Sequence, residues 1–246
     1  MSPSLTKLQD SMNIADFNRG IPDVKALMRW GGQIDFQKEL CEALNQSPMD
    51  EEFLVLDIGC GTGRAIEEWV LRLRSIYATR EAINGVGIDV NPCPEHIPES
   101  SLMEDGTLRS KLIKGDAHSL GQLEDESVNV GYSIAVVEYL HDALKALEEG
   151  YRVLKEGGKF YWVINGPRSV AVCPYLYDIL DQTPGANEVF KLRHNRDHDL
   201  HRVLICEKKS DSGFEGFPFK KLFSRPSFSF NAVDRAVRRT YYRRAA

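Results

Sequence analysis

The residues best suited to chemistry sit in one nine-residue stretch, Val55-Leu56-Asp57-Ile58-Gly59-Cys60-Gly61-Thr62-Gly63. Glycines at alternate positions let the backbone turn sharply and come close to a ligand. Helical spacing runs from Ile66 to Ile76. That helix would offer its first N–H groups and positive dipole end to whatever the loop holds. A dinucleotide loop has GxGxxG spacing and seats a pyrophosphate on the helix N-terminus. Here the spacing is GxGxG, and Asp57 stands two residues before the first glycine. A carboxylate is a poor neighbour for pyrophosphate and a good one for an ammonium group. The alternative, a glycine turn that holds nothing, is disfavoured by the carboxylates at the ends of later strands.

Two such carboxylates lie at equivalent places. Asp89, 26 residues after Gly63, ends the run Asn84-Gly85-Val86-Gly87-Ile88. A carboxylate there can accept both hydroxyls of a ribose, a device that nicotinamide sites share. It could also be a solvated strand-end residue. Asp116, in Gly115-Asp116-Ala117, can accept an adenine amino group, and the small Ala117 leaves room for the ring. Aspartate is also common in turns for local reasons alone. His194, Asp197, His198, Asp199 and His201 look like a metal cluster, but they fall in a polar connection. Alternate residues of a strand share a face and adjacent ones do not. No metal is therefore expected.

The elements that must position these groups can be read from periodicity. Residues 5–47 read as helical, broken at Gly20-Ile21-Pro22, with a helix from Asp35 to Asn45. Phe53 to Leu56 is a short apolar run that stops at the glycine cluster, as a buried parallel strand does. Further strands are expected at Asn84–Asp89, Lys111–Lys114, Val128–Ser133 and Lys159–Ile164. A long helix is expected from Glu138 to Leu154, ended by Gly157-Gly158. Strands alternating with helices imply a parallel sheet covered on both faces. Val189–Leu192 and Arg202–Cys206 are too close for a helical crossover and read as an antiparallel hairpin.

In order and spacing, VLDIGCGTG (55–63), GVGIDVNP (85–92), GDAHSL (115–120), VNVGYSIAVVEYLHD (128–142) and YRVLKEGGKFYWV (151–163) resemble the class I S-adenosylmethionine-dependent methyltransferases, small-molecule type. The resemblance covers about residues 50–207. It implies a Rossmann-like α/β fold: a seven-stranded, mostly parallel sheet with an antiparallel last strand and helices on both faces. It implies S-adenosylmethionine as cofactor and S-adenosylhomocysteine as product. By this resemblance Asp57, Gly59, Cys60, Gly61 and Gly63 line the methionine side. Asp89 and Val90 hold the ribose, Asp116 and Ala117 flank the adenine, and Ser133 sits beside the cofactor. The chain departs from the pattern at Asn129, where an acid is frequent, and at Tyr139, where many small-molecule members have histidine. Ala135 replaces an acid that some relatives use toward a metal.

A sulfonium methyl is already activated, so transfer is an in-line displacement that needs alignment more than a base. No catalytic residue is assigned on sequence. The substrate-side candidates are Trp30, Glu138, Tyr139 and His141. Glu138 could equally brace a helix, His141 could sit in solvent, and Trp30 could be a core residue beside Gly31-Gly32. Arg29 could pair with the cofactor carboxylate. Residues 1–48 are read as a helical lid, 49–209 as the cofactor-binding core, and 210–246 as a basic, aromatic-containing extension.

Composition bounds the rest. The 246 residues, 42% hydrophobic and 27% charged, suit one globular α/β domain with short additions. No apolar run approaches the ~20 residues of a membrane span, and the N-terminus lacks a signal-peptide layout. Five dispersed cysteines without a CxxC pair fit a reducing cytoplasm. Residues 207–246 carry ten Lys+Arg against four Asp+Glu, and the other 206 carry 21 against 32. The acidic body argues against broad nucleic-acid binding. The extension is expected to pack on protein and to help form the substrate side or a homo-oligomer interface. The expected function is methyl transfer to an oxygen or nitrogen of a small-molecule acceptor. A protein or RNA substrate, or non-catalytic cofactor binding, is the alternative.

Overall fold

The computed structural model describes residues 36–78, 80, 82–92, 110–140, 142–165, 190–194 and 201–208. Within them the chain runs α1 (Phe36–Gln46), β1 (Phe53–Ile58), α2 (Arg64–Ile76), β2 (Ile83–Asp89), β3 (Ser110–Lys114) and β4 (Val128–Ile134). A 3₁₀ turn (Val137–Tyr139), α3 (Ala143–Val153), β5 (Leu154–Asn165), β6 (Phe190–His194) and β7 (His201–Glu207) complete it. The strands form one sheet in the order β3-β2-β1-β4-β5-β7-β6. Pairings from β3 to β5 are parallel, and β7 is antiparallel to both β5 and β6. The mixed, mostly parallel character and the closing hairpin agree with the sequence reading.

Each face of the sheet is sealed by its own apolar cluster. Leu40 and Leu44 of α1 and Ile66, Trp69, Val70 and Leu73 of α2 meet Phe53, Val55, Val130 and Tyr132 on one face. Leu144, Leu147 and Tyr151 of α3 meet Leu56, Ile88, Phe160 and Trp162 on the other. Burying each large side chain contributes ~1.5–3 kcal/mol. Phe36 makes edge-on contacts with Trp69, Tyr132 and Tyr161 at centroid distances of 5.3, 5.2 and 5.2 Å. Glu39 of the same helix accepts from Tyr161 Oη at 2.6 Å and pairs with Lys159 Nζ at 3.1 Å. Thus α1, at the end of the segment expected to form a lid, is a layer of the sheet's core. Arg80 sits buried under its C-terminal end. Its guanidinium donates to the carbonyls of Leu44, Ser47 and Glu51 at 3.2, 3.0 and 3.0 Å. A cation there satisfies carbonyls that the helix leaves unpaired.

The expected helix from Glu138 to Leu154 is corrected at both ends. The chain first makes the 3₁₀ turn, and α3 begins only after Asp142, whose carboxylate accepts from Lys145 N at 3.1 Å. An aspartate side chain at this place satisfies an N–H that would otherwise lack a partner, so it starts the helix there. At the other end Leu154 is already extended and opens β5, so Gly157-Gly158 lies within the strand. Gly157, at φ 73°, and Gly158 instead exchange backbone hydrogen bonds with Lys208. Residues 1–35 and 210–246, and therefore the rest of the expected lid and the extension, lie outside the described residues.

Candidate functional site

The sheet order places β1 and β4 side by side, with β2 and β3 to one side and β5 to the other. The chain therefore departs in opposite directions from β1 and β4. In open α/β sheets this switch point leaves a crevice beyond the strands' carboxyl ends. The loop Gly59–Gly63 leaves β1 at that crevice. All three glycines have positive φ, at 78°, 53° and 80°. An L-residue rarely adopts such a backbone, and a Cβ on Gly59 would collide with Val136 Cγ2. The N–H groups of Gly59 and Cys60 both point to Ile88 O, at 2.7 and 3.2 Å. Cys60 presses its side chain into the sheet, where Sγ would lie 2.8 Å from a Cβ on Gly87. It can offer the crevice only backbone.

Asp89 ties this loop to the end of β2. Its Oδ2 accepts from Gly61 N at 2.9 Å and its Oδ1 from Asn91 N at 2.8 Å. Each carboxylate oxygen has two lone pairs, so acceptor capacity remains for hydroxyl donors. Val90, beside it, is half exposed. Asp57 lies at the end of β1 and is buried. Burial pushes its carboxyl up to about 8, the nearby Tyr132 hydroxyl opposes the shift, and the Asp89 charge adds to it. The buried Tyr132 hydroxyl lies close enough to Asp57 to act on it electrostatically but has no hydrogen-bond partner among the described residues. Burial and the neighbouring Asp89 charge both favour the neutral form of Asp57.

Beyond β3, Gly115 N donates to Asp89 O at 2.9 Å, which brings the next loop to the same edge. Asp116 is more than half exposed and Ala117 is buried. One Asp116 oxygen accepts from His118 N at 2.9 Å and meets His118 Nδ1 at 2.5 Å. Sequence reasoning assigned no role to His118. The signal was its place two residues after an aspartate in a turn, where a backbone N–H closes on the carboxylate.

Ser133 is wholly buried in β4, and its hydroxyl has no partner among the described residues. After it, Ala135 adopts φ 56° and donates its N–H to Val163 O at 2.9 Å. A non-glycine residue at positive φ is strained, and such strain often lies beside a site. Here it delivers Val136 over Gly59, a contact sequence reasoning also missed. Tyr139 comes next in the 3₁₀ turn and is 41% exposed. The structure therefore gathers Asp57, Gly59–Gly63, Asp89, Val90, Asp116 and Ala117 along one edge, with Tyr139 in the segment that Val136 docks on the loop. Trp30, Arg29, His141 and residues 195–200 lie outside the described residues, as does the side chain of Glu138. No group of metal-ligating side chains occurs among the described residues.

Residues 56–162 match a protein-family profile described as a methyltransferase domain. The chain is 26% identical over 137 residues to the ubiquinone/menaquinone biosynthesis C-methyltransferase UbiE of Campylobacter jejuni, covering 54% of this chain and 53% of that one. It is 28% identical over 121 residues to a sterol 4-C-methyltransferase of Caenorhabditis elegans, covering 49% and 33%. It is 26% identical over 142 residues to the malonyl-[acyl-carrier protein] O-methyltransferase of Yersinia pestis, covering 58% and 48%. The chain thus spans about half the length of two of these relatives and a third of the other. Among solved structures, the CurJ carbon methyltransferase superposes with a TM-score of 0.50 at 14% identity, covering 71% of this chain and 53% of that one, a likeness of fold.

Proposed function

We propose that this chain is a class I S-adenosylmethionine-dependent methyltransferase that transfers a methyl group to a small-molecule acceptor, a reading supported by the methyltransferase-domain profile matched by residues 56–162. The observation that carries this reading is the loop at the switch point. Left-handed glycines, a buried acid at about 8 and a carboxylate bound to Gly61 N meet in one crevice. These residues fit the cofactor: it brings a cation for Asp57 and ribose hydroxyls for Asp89. The sheet order 3-2-1-4-5-7-6 supports reading the core as the complete seven-stranded form of this fold.

When bound, S-adenosylmethionine supplies a sulfonium methyl that needs no further activation. The chain's own residues bind and orient. Gly59–Gly63 brings bare backbone to the methionine side, and Asp57, giving up its proton as the cation enters, pairs as a carboxylate with the ammonium. Asp89 holds the ribose and Asp116 the adenine. Val136, seated over Gly59, sets the acceptor-side segment against the loop, which aligns the partners and excludes water. Tyr139 and His141 are the acceptor-side candidates, with Trp30 from the N-terminal segment. In this reading residues 1–35 cover the site and residues 210–246 pack on protein.

We place the acceptor atom on oxygen or nitrogen. A carbon acceptor is the second reading, favoured by the names of two of the three relatives. Calorimetry with S-adenosylhomocysteine and with NAD tests the cofactor: the first should bind and the second should not. Transfer of labelled methyl to a panel of phenols, amines, carboxylic acids and enolisable carbonyls tests the acceptor. Binding of NAD alone would overturn the cofactor assignment. Labelled carbon products without any labelled ethers, esters or amines would favour the second reading.

A further inference from the structure

His118 links the turn after β3 to Asp142, 24 residues further along the chain. On one side its Nδ1 meets Asp116 Oδ1 at 2.5 Å. On the other its Nε2 accepts from the backbone N–H of Asp142 at 3.3 Å. A backbone N–H can only donate, so Nε2 carries no proton in this arrangement. The neutral ring then has its proton on Nδ1, where it donates to Asp116. The imidazole is largely sheltered, with its side chain 13% exposed, whereas Asp116 is 56% exposed. His118 is thus held at both ends, while the carboxylate beyond it keeps more than half of its surface exposed.

Asp142 is the residue whose carboxylate starts α3. The acceptor-side segment 135–142 therefore has two anchors. Its first end is pinned by Ala135 N on β5 and by Val136 over Gly59. Its far end is pinned by His118 on Asp142 N. Tyr139 sits between them in the 3₁₀ turn. We propose that His118 is a positioning residue, one that links the adenine-side carboxylate to the N-terminus of α3 and so sets segment 135–142 in register with the bound cofactor. The link rests on the methyltransferase reading above and adds to it a route from adenine recognition to the acceptor side.

The two ring nitrogens can be removed separately. Asn at position 118 keeps a donor near the place of Nδ1 and lacks the distal acceptor. Gln keeps an acceptor near the place of Nε2 and lacks the proximal donor. Hydrogen–deuterium exchange at residues 137–146 and calorimetry with S-adenosylhomocysteine read the two ends independently. Exchange at the start of α3 in the free protein should quicken several-fold in His118→Asn and stay near wild type in His118→Gln. S-adenosylhomocysteine should bind His118→Asn within about twofold of wild type and His118→Gln at least threefold more weakly. In wild type, ligand should slow exchange at 137–146, and His118→Asn should lose that protection while still binding. His118→Ala should show both defects, with its melting temperature reporting any general loss of fold. If Asn and Gln behave alike, or if ligand protects 137–146 equally in wild type and His118→Asn, the link is overturned while the cofactor reading stands. If wild type does not bind S-adenosylhomocysteine, the cofactor reading falls and takes the coupling with it. The free-protein exchange would still report whether His118 anchors α3.

Discussion

Two aspartates in the crevice carry different burdens, and each has its own test. Asp89 is engaged by two backbone N–H groups, and the proposed reading assigns it the ribose. Replacing Asp89 with Ala should weaken S-adenosylhomocysteine binding by ~1.5–3 kcal/mol, the scale of hydrogen bonds to a charged group. Titration calorimetry would read this as a loss of at least tenfold, and unchanged affinity would remove Asp89 from the site. Asp57 is different because burial holds its carboxyl near 8 against an ordinary 3.8. Below about 4 both folded and unfolded forms are protonated, and the group costs nothing. Between about 4 and 8 the unfolded chain ionises while the folded one keeps its proton, so stability falls as pH rises. Asp57→Asn should therefore raise the melting temperature at pH 8 and change it little at pH 4. It should also weaken S-adenosylhomocysteine binding, since the ligand's ammonium loses its partner. A variant with the same melting shift at both values would show that Asp57 is ionised in the folded protein.

At the scale of elements, the crevice depends on how tightly β3 is held to α2. Glu67 of α2 is fully buried, and its Oε2 accepts from Ser110 N at 2.9 Å and from Ser110 Oγ at 2.5 Å. Ser110 is the first residue of β3, whose far end leads to Asp116. Removing the carboxylate strands two buried donors, each costing ~1–3 kcal/mol. Glu67→Ala is expected to destabilise the protein by about 2–6 kcal/mol in chemical denaturation, and Glu67→Gln by less because one acceptor survives. Equal effects from the two variants would mean that packing, and not the hydrogen bonds, holds β3. A second clasp lies across the sheet. Arg152 of α3 donates to Leu120 O and Leu123 O at 2.9 and 3.3 Å and pairs with Glu149 and Asp125. Both clasps fix the chain on either side of Asp116, so its carboxylate is carried by anchored elements.

The whole molecule has an acidic body and a basic extension, and their relation is a proposal. Residues 207–246 carry ten Lys+Arg and several phenylalanines, among them those at 214, 217, 219, 223 and 228. Solvated tails are poor in aromatics, so packing on protein is the reading the composition favours. Deleting residues 210–246 should then lower the melting temperature or turnover and change the sedimentation behaviour if the extension joins subunits. A truncated protein that keeps both, yet no longer binds anionic vesicles or RNA, would point to recruitment. No helix among the described residues is long and apolar enough to cross a membrane.

The division between what sequence determined and what folding decided reflects the range of the interactions. The GxGxG loop, Asp57, the strand-end Asp89 and the closing hairpin were legible because each depends on local backbone geometry and on period. Element type was legible for the same reason, since apolar residues spaced by two or by 3.6 must face a core. The start of α3 was not, because Glu138–Asp142 has apolar spacing compatible with helix. Only tertiary contacts decide that the chain makes a 3₁₀ turn there: Val136 on Gly59 and Asp142 N on His118. Arg80 under α1 was equally hidden, since 33 residues separate it from Ser47. The charge on Asp57 was hidden too. Aspartate is ordinarily ionised, and only burial in the folded protein, with the Asp89 charge added, pushes its carboxyl up to about 8. Short-range patterns thus named the parts of this site, and long-range packing set their protonation, their anchors and their register.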